Sequence, residues 1–204
     1  MASVETPVLK LDRHSNGMLL DPWEFDAARF EKGWRYELLN GVLVVNAAPL
    51  RNERDPNEEL GRWLRNYQED HPNGDHLDAT MSEETIVIGL NRRRVDRAIW
   101  AGLGRLPGTT EAPTIAVEFV SQGAQNRQRD YETKRHEYRS IGVREYWIID
   151  RFERRMTVHQ FERSKEVTRT FSTRQTYTTP LLPGFKLPIG KLIKLAERWE
   201  EEQA

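Results

Sequence analysis

Apolar positions along the chain change their period several times, and each change marks an element. Residues 1–20 show no period and read as a flexible polar arm. Asp21-Pro22 followed by an acidic residue is a helix start, and Trp23, Phe25 and Phe30 predict a short helix over 22–31, which Gly33 ends. Two β-rich runs, 35–39 and 42–46, flank Asn40-Gly41, the strongest short signal for a hairpin. Leu60, Trp63, Leu64 and Tyr67 fall on one helical stripe. They predict a helix over 56–70, with Asp55 as its cap and Pro56 in its first turn.

Alternation and β-branching then predict strands over 84–90 and 92–100, followed by a loop holding three Gly and two Pro. Residues 114–121 (TIAVEFVS) are apolar on both faces, as a strand covered on both sides must be. A polar helix over 125–140 follows and closes at Gly142. EYWIID at 145–150 is a second central strand, with return strands at 156–161 and 167–171 and a final helix over 192–202. Strand, helix, strand between 114 and 150 implies a parallel crossover, which is right-handed in nearly all proteins. The pattern therefore predicts an α/β fold, a mixed sheet with flanking helices and peripheral hairpins, in a single domain over 21–204.

Composition narrows the chemistry. The 204 residues contain no cysteine, which excludes disulfides, thiolate metal sites and a cysteine nucleophile. Apolar runs span only a few residues, so no membrane span is expected, and no apolar leader opens the chain. A soluble, cytoplasmic protein is the expectation. Net charge is −1, from 31 basic and 32 acidic residues, yet residues 86–139 hold ten basic against six acidic. That local excess suits a phosphate-bearing partner. Arg92, Arg93 and Arg94 form a basic run beside one candidate carboxylate, and Arg127 and Arg129 precede the candidate lysine; phosphate contacts and a solvated surface both fit them.

Three charges stand where a core expects none. Asp96 lies inside a strand, Glu118 interrupts the most apolar strand, and Lys134 sits mid-helix four residues after Asp130, on the same helix face. A buried carboxylate must be paired or must hold a metal. Asp and Glu on neighbouring strands are the hard oxygen donors that Mg²⁺ requires, and a lysine beside them suits phosphodiester hydrolysis. Salt bridges that only fix the sheet fit the same spacing.

The order of the pieces adds to this. VDRAIW, then PTIAVEFVS, then DYETKRHEY, then IGVREYWIID resembles the Uma-two-type restriction endonuclease family, within the PD-(D/E)XK nuclease superfamily. YELLNGVLV at 36–44 resembles the opening hairpin of that family, and LPGFKLP at 182–188 its closing signature. The resemblance implies a restriction-endonuclease-like fold and a metal-dependent DNA endonuclease using Mg²⁺ or Mn²⁺. Asp96 matches the first metal-binding aspartate, Glu118 the second carboxylate and Lys134 the catalytic lysine. Asp130, Glu37 and Ser121 match supporting positions. Cutters of this type often act as dimers, so a homodimer is an implied assembly. Three positions depart from the family pattern: Val95 and Gln122 replace prolines, and Pro56 or Asn57 stands where a histidine is frequent. A weakened nuclease fold that binds nucleic acid or a protein is the alternative reading, and a purely structural protein with paired carboxylates is the third.

Overall fold

The computed structural model describes residues 8–123, 128–162 and 165–201. The strands are β1 (Lys10–Leu11), β2 (Arg29–Phe30), β3 (Trp34–Leu39), β4 (Val42–Ala47), β5 (Leu77–Ile88) and β6 (Asn91–Ala101). They continue with β7 (Ile115–Phe119), β8 (Glu145–Asp150), β9 (Arg155–Phe161), β10 (Glu166–Ser172), β11 (Thr176–Tyr177) and β12 (Leu187–Pro188). The helices are α1 (Pro22–Ala27), α2 (Arg51–Asp70), α3 (Lys134–Ser140) and α4 (Ile189–Glu201), and a π-helical turn, Arg129–Thr133, leads into α3. No helix among the described residues is long and apolar enough to cross a membrane.

The chain forms two compact units, Met1–Ala48 with Thr85–Arg94, and Pro49–Glu84 with Val95–Ala204. In the smaller unit β3 and β4 make the expected hairpin. Asn40 and Gly41 both take positive φ, 51° and 77°, which is what a two-residue primed turn demands of its central pair. Strand β3 also pairs with β6, through Leu38↔Arg92. A small core of Leu11, Leu20, Phe25, Tyr36, Leu38 and Leu43 holds the unit together. The expectation of a flexible arm to residue 20 therefore fails from residue 9 onward. Residues 17–20 hydrogen-bond along β4, and Leu11 and Leu20 are buried, although no period in the sequence announced them.

The larger unit carries the central strands in the order β6-β7-β8-β9-β10. Strands β7 and β8 are parallel, registered from Ile115↔Glu145 to Phe119↔Ile149, and the α3 segment makes the crossover between them. The other neighbours in this row are antiparallel. Val117, Phe119, Trp147 and Ile149 lie on one face, in one core with Leu60 and Leu64 of α2 and Leu192 and Ile193 of α4. Fully burying each such side chain contributes roughly 1.5–3 kcal/mol. Strand alternation then turns Glu118, Tyr146 and Ile148 to the opposite face, where Tyr138 of α3 packs edge-on against Tyr146 at 5.1 Å.

Helix α2 begins at Arg51 rather than at 56, so Pro56 lies inside it. The Glu53 side chain accepts the Leu50 N–H at 3.3 Å and caps the helix one turn before the proline. Pro56 then gives up a single backbone bond within an otherwise well-anchored helix.

Candidate active site

Asp96 on β6, Glu118 on β7, Asp130 on the π turn and Lys134 at the start of α3 all lie in the larger unit, each at most 5% exposed. Lys134 Nζ lies 2.8 Å from Glu118 Oε2 and 3.2 Å from Asp130 Oδ1, so one ammonium joins two buried carboxylates. The other Glu118 oxygen, Oε1, accepts from the Tyr138 hydroxyl at 2.7 Å. Tyr138 follows Lys134 by four residues, so one helix face presents both donors to one carboxylate. Asp96 lies one residue beyond the Arg97↔Val117 pair, and its Oδ2 accepts the Phe119 N–H at 2.6 Å. The spacing of these four residues along the sequence thus becomes one cluster in space.

The helical segment departs from a regular α-helix where the chemistry sits. The Lys134 N–H reaches back five residues to the Arg129 carbonyl, while the Asp130 carbonyl accepts from the Tyr146 hydroxyl at 2.8 Å. Tyr146, anchored in β8, takes an acceptor that a regular helix would offer to Lys134, and the turn widens. Such turns often occur at functional sites. Tyr131, also on this turn, donates to Asp150 Oδ2 at 3.0 Å and ties it again to β8.

Electrostatics follow from burial. Glu118 is pushed up to about 8, first by desolvation and then by the charges of Asp96 and Asp130, while Lys134 pulls the other way. The Tyr146 phenol is pushed well above its ordinary range by burial and the same carboxylates.

Several contributors escaped sequence reasoning. Glu53 is buried in the first turn of α2, hydrogen-bonded to Ser121. Desolvation, reinforced by Asp96, raises its carboxyl above the usual range. Its signal was the cap position three residues after Leu50, hidden because the helix was expected to begin at 56. Asn57, where the resemblance expects a histidine, has a supporting role. Its Nδ2 donates to the Asp96 carbonyl at 2.7 Å, and its Oδ1 accepts from Arg97 Nε at 2.8 Å. Tyr138 carries no signal of its role in the sequence, because a hydroxyl's target cannot be seen from its spacing.

The other expected site residues divide between the edge of the cluster and the smaller unit. Ser121 pairs with Glu53. Glu37 belongs to the smaller unit, where its Oε1 accepts the Arg94 N–H at 3.0 Å and lies 3.8 Å from Arg93 Nη1. The expectation that the 92–94 run reaches phosphates needs correction. Arg92 is buried and grips Asp26 through two bonds of 2.7 Å, and Arg93 is buried near Glu37. Arg94 is half-buried and donates to Thr85 Oγ1. These arginines bond to side chains of their own unit: Arg92 to the exposed Asp26, and Arg94 to Thr85. Arg129 leans on Asp130, with Nε 3.4 Å from Oδ1. Arg127 lies outside the described residues.

Among the described residues, no group of three His, Cys, Asp or Glu side chains converges to hold an ion. Mg²⁺ needs fewer, because it keeps several waters and binds through one or two carboxylates plus phosphate oxygens. Asp96 and Glu118 supply the hard oxygens, and a carboxylate with about four lone-pair sites can accept a hydrogen bond and a cation together. The donor set therefore fits such a cation in kind.

A family model described as "Uma2: Putative restriction endonuclease" matches residues 22–190. The chain belongs to that family. The match spans every residue of the Asp96–Glu118–Asp130–Lys134 cluster. Among solved structures, one described as "a putative nuclease belonging to DUF820", from Anabaena variabilis ATCC 29413, superposes with a TM-score of 0.69 at 14% identity. The alignment covers 87% of this chain and 99% of that one. At this identity the likeness shows the fold, a mixed α/β nuclease fold. No protein of curated function matches the sequence.

Proposed function

We propose that this Uma2-family chain is a divalent-metal-dependent endonuclease hydrolysing phosphodiester bonds in DNA. The observation that carries the reading is the Lys134 ammonium joined to Glu118 and Asp130 beside Asp96, inside a chain matched to a restriction endonuclease family. Asp96 and Glu118 would hold Mg²⁺ or Mn²⁺, which when bound supplies Lewis-acid polarisation of a phosphoryl oxygen. The Phe119 N–H fixes the Asp96 carboxylate, and the Tyr138 hydroxyl fixes Glu118. Asp130, with Oδ1 3.2 Å from Nζ, holds Lys134 in place. The ammonium then orients the attacking water and offsets the negative charge that develops on the phosphoryl group.

A second reading has its own support. Both Glu118 oxygens already accept hydrogen bonds, and its carboxyl is pushed up to about 8, so near neutral pH it favours the protonated form, which binds a cation poorly. A nuclease fold that binds nucleic acid or protein without cutting fits that state.

Supercoiled plasmid incubated with Mg²⁺ or Mn²⁺ separates the two. The nuclease reading expects nicking that EDTA stops and that falls at least about a hundredfold in Asp96→Asn and Lys134→Met, each checked for folding by circular dichroism. Nicking undiminished in either folded variant sinks the assignment. Calorimetric titration with Mn²⁺ reads the site without activity. Heat lost in Asp96→Asn supports the pair as ligands, and absence of heat in the native chain favours the non-cutting reading.

A further inference from the structure

A second cationic feature lies in the larger unit, outside the cluster. Arg154, Arg174, Lys191 and Lys194 line a cleft of about 370 Å³, together with the neutral donors Gln175 and Thr176. The four cations come from three places, the β8–β9 turn, the β10–β11 turn and helix α4, and all are exposed. Arg154 is paired with Glu197. Among the described residues Arg174 and Lys194 make no ion pair, and Lys191 acts on Glu59 only at a distance. No acidic side chain lines the cleft. In a chain with net charge −1 such a concentration is a distinct local field.

Topology places this cleft at the end of the sheet where the chemistry lies. Phe119 pairs with Ile149 near the ends of two parallel strands, so the β8–β9 turn leaves the sheet at the same end as residue 119. Asp150 pairs with Arg155, and Arg155 with Ser172, so the β10–β11 turn emerges there too. The Ile189 N–H bonds the Gln175 carbonyl and fixes the start of α4 against that turn. Crossing from β7 to β10 takes three strand steps, about 14 Å along the sheet, and α4 packs on the face opposite Glu118 and Lys134, so the full separation is larger. A duplex rises about 3.4 Å per base pair, so the in-sheet component alone is the span of about four base pairs.

We propose that this cleft binds backbone phosphates of a nucleic-acid duplex, about four or more base pairs from the bond held at Lys134. The inference rests on the reading of the chain as a nucleic-acid hydrolase. Arg174 and the two lysines hold the phosphates as exposed charges, and Gln175 and Thr176 donate neutral hydrogen bonds. Contacts of this kind position the duplex and carry no sequence information.

The test is equilibrium binding of the full chain to a fluorescent duplex in EDTA, followed by anisotropy over a range of salt. The variant is Arg174→Ala/Lys191→Ala/Lys194→Ala. The control, Lys10→Ala/Arg13→Ala/Lys32→Ala, removes the same charge from exposed positions of the smaller unit. Three lost phosphate contacts should flatten the slope of log affinity against log salt by about 2.7, so that between roughly 50 and 200 mM salt the native chain loses about fortyfold more affinity than the variant. The control should keep the native slope. A variant slope equal to the native one, an equal change in the control, or no duplex binding at low salt overturns the proposal. DNA and RNA duplexes run in parallel show which backbone the cleft accepts. Plasmid nicking is scored separately. Nicking with an unchanged slope removes the cleft and leaves the nuclease, and a flattened slope without nicking does the reverse.

Discussion

Replacing Asp96 by asparagine should change stability in opposite directions at two pH values. Asparagine keeps the size of the side chain and a carbonyl oxygen for the Phe119 N–H, so the fold is retained. The charge assistance in that bond is lost, at a cost of about 1 kcal/mol. Against this stands relief of repulsion. Side chains directly opposite on paired strands have Cβ atoms about 4.5–5.5 Å apart, and two unit charges about 5 Å apart with an effective dielectric of about 20 repel by about 3 kcal/mol. The repulsion acts only while Glu118 is ionised, and its carboxyl is pushed up to about 8. At pH 6 the variant should therefore be less stable by about 1 kcal/mol, with only the weaker bond to register. At pH 9 it should be more stable by about 2 kcal/mol, a change between the two pH values of about 3 kcal/mol, or roughly 6–12 °C in melting temperature for a chain of this size. Thermal denaturation at both pH values is the assay. An equal loss at pH 6 and pH 9 would show that Asp96 and Glu118 do not interact as charges, and would refute the reasoning.

Lys134→Met should destabilise the protein by about 3–5 kcal/mol at pH 9, where Glu118 is ionised and two buried carboxylates lose their cation, and by less at pH 6; adding Glu118→Gln should restore part of the loss at pH 9 in a denaturation double-mutant cycle. The native chain should itself lose stability as pH rises. The folded Glu118 carboxyl is raised above its unfolded value of 4.5 to about 8, so its contribution is complete below pH 4.5 and gone above pH 8, which urea titrations across that window would follow. Mn²⁺ should raise the melting temperature more at pH 8 than at pH 5, since a cation held by Glu118 favours the ionised form; an equal rise at both would count against Glu118 as a ligand. Gly61→Ala should cost about 1–3 kcal/mol, because a Cβ there would stand 2.6 Å from Arg97 Nη2, which is buried and donates to the Asn57 carbonyl at 2.8 Å; a neutral effect in chemical denaturation would show that Arg97 moves freely.

How far the site could be read in advance depended on the residue. Asp96, Glu118 and Lys134 stood out because each put a charge into an apolar pattern, and Asp130 followed from helical spacing. Tyr138, Tyr146 and Asn57 carry no such mark. A tyrosine or asparagine is ordinary in a helix or strand, and its bond is made to a residue between 16 and 39 positions away. Glu53 was hidden by a misplaced helix start, since Pro56 looks like a first-turn residue and the earlier cap rests on one side chain reaching back to Leu50. The 92–94 arginines misled for a related reason, because charge counted along a strand does not tell which side chains already bond within their own unit.

What the linear order of residues could settle was whatever depends on near neighbours. The Asn40-Gly41 hairpin, the two central strands, the crossover between them and the α/β class all follow from periods of two and 3.6 and from turn chemistry, which act within a few residues. The cysteine-free composition confined any metal to oxygen and nitrogen donors. What needed the folded chain was the meeting of groups far apart in sequence. The bridging of Glu118 and Asp130 by Lys134, the widened turn imposed by Tyr146, and the gathering of Arg174 with Lys191 and Lys194 at one sheet end depend on strand register and crossover direction. The side chains within such a cluster also set one another's protonation. Coulombic interaction and desolvation act through space, and distance in space is what the sequence alone does not contain.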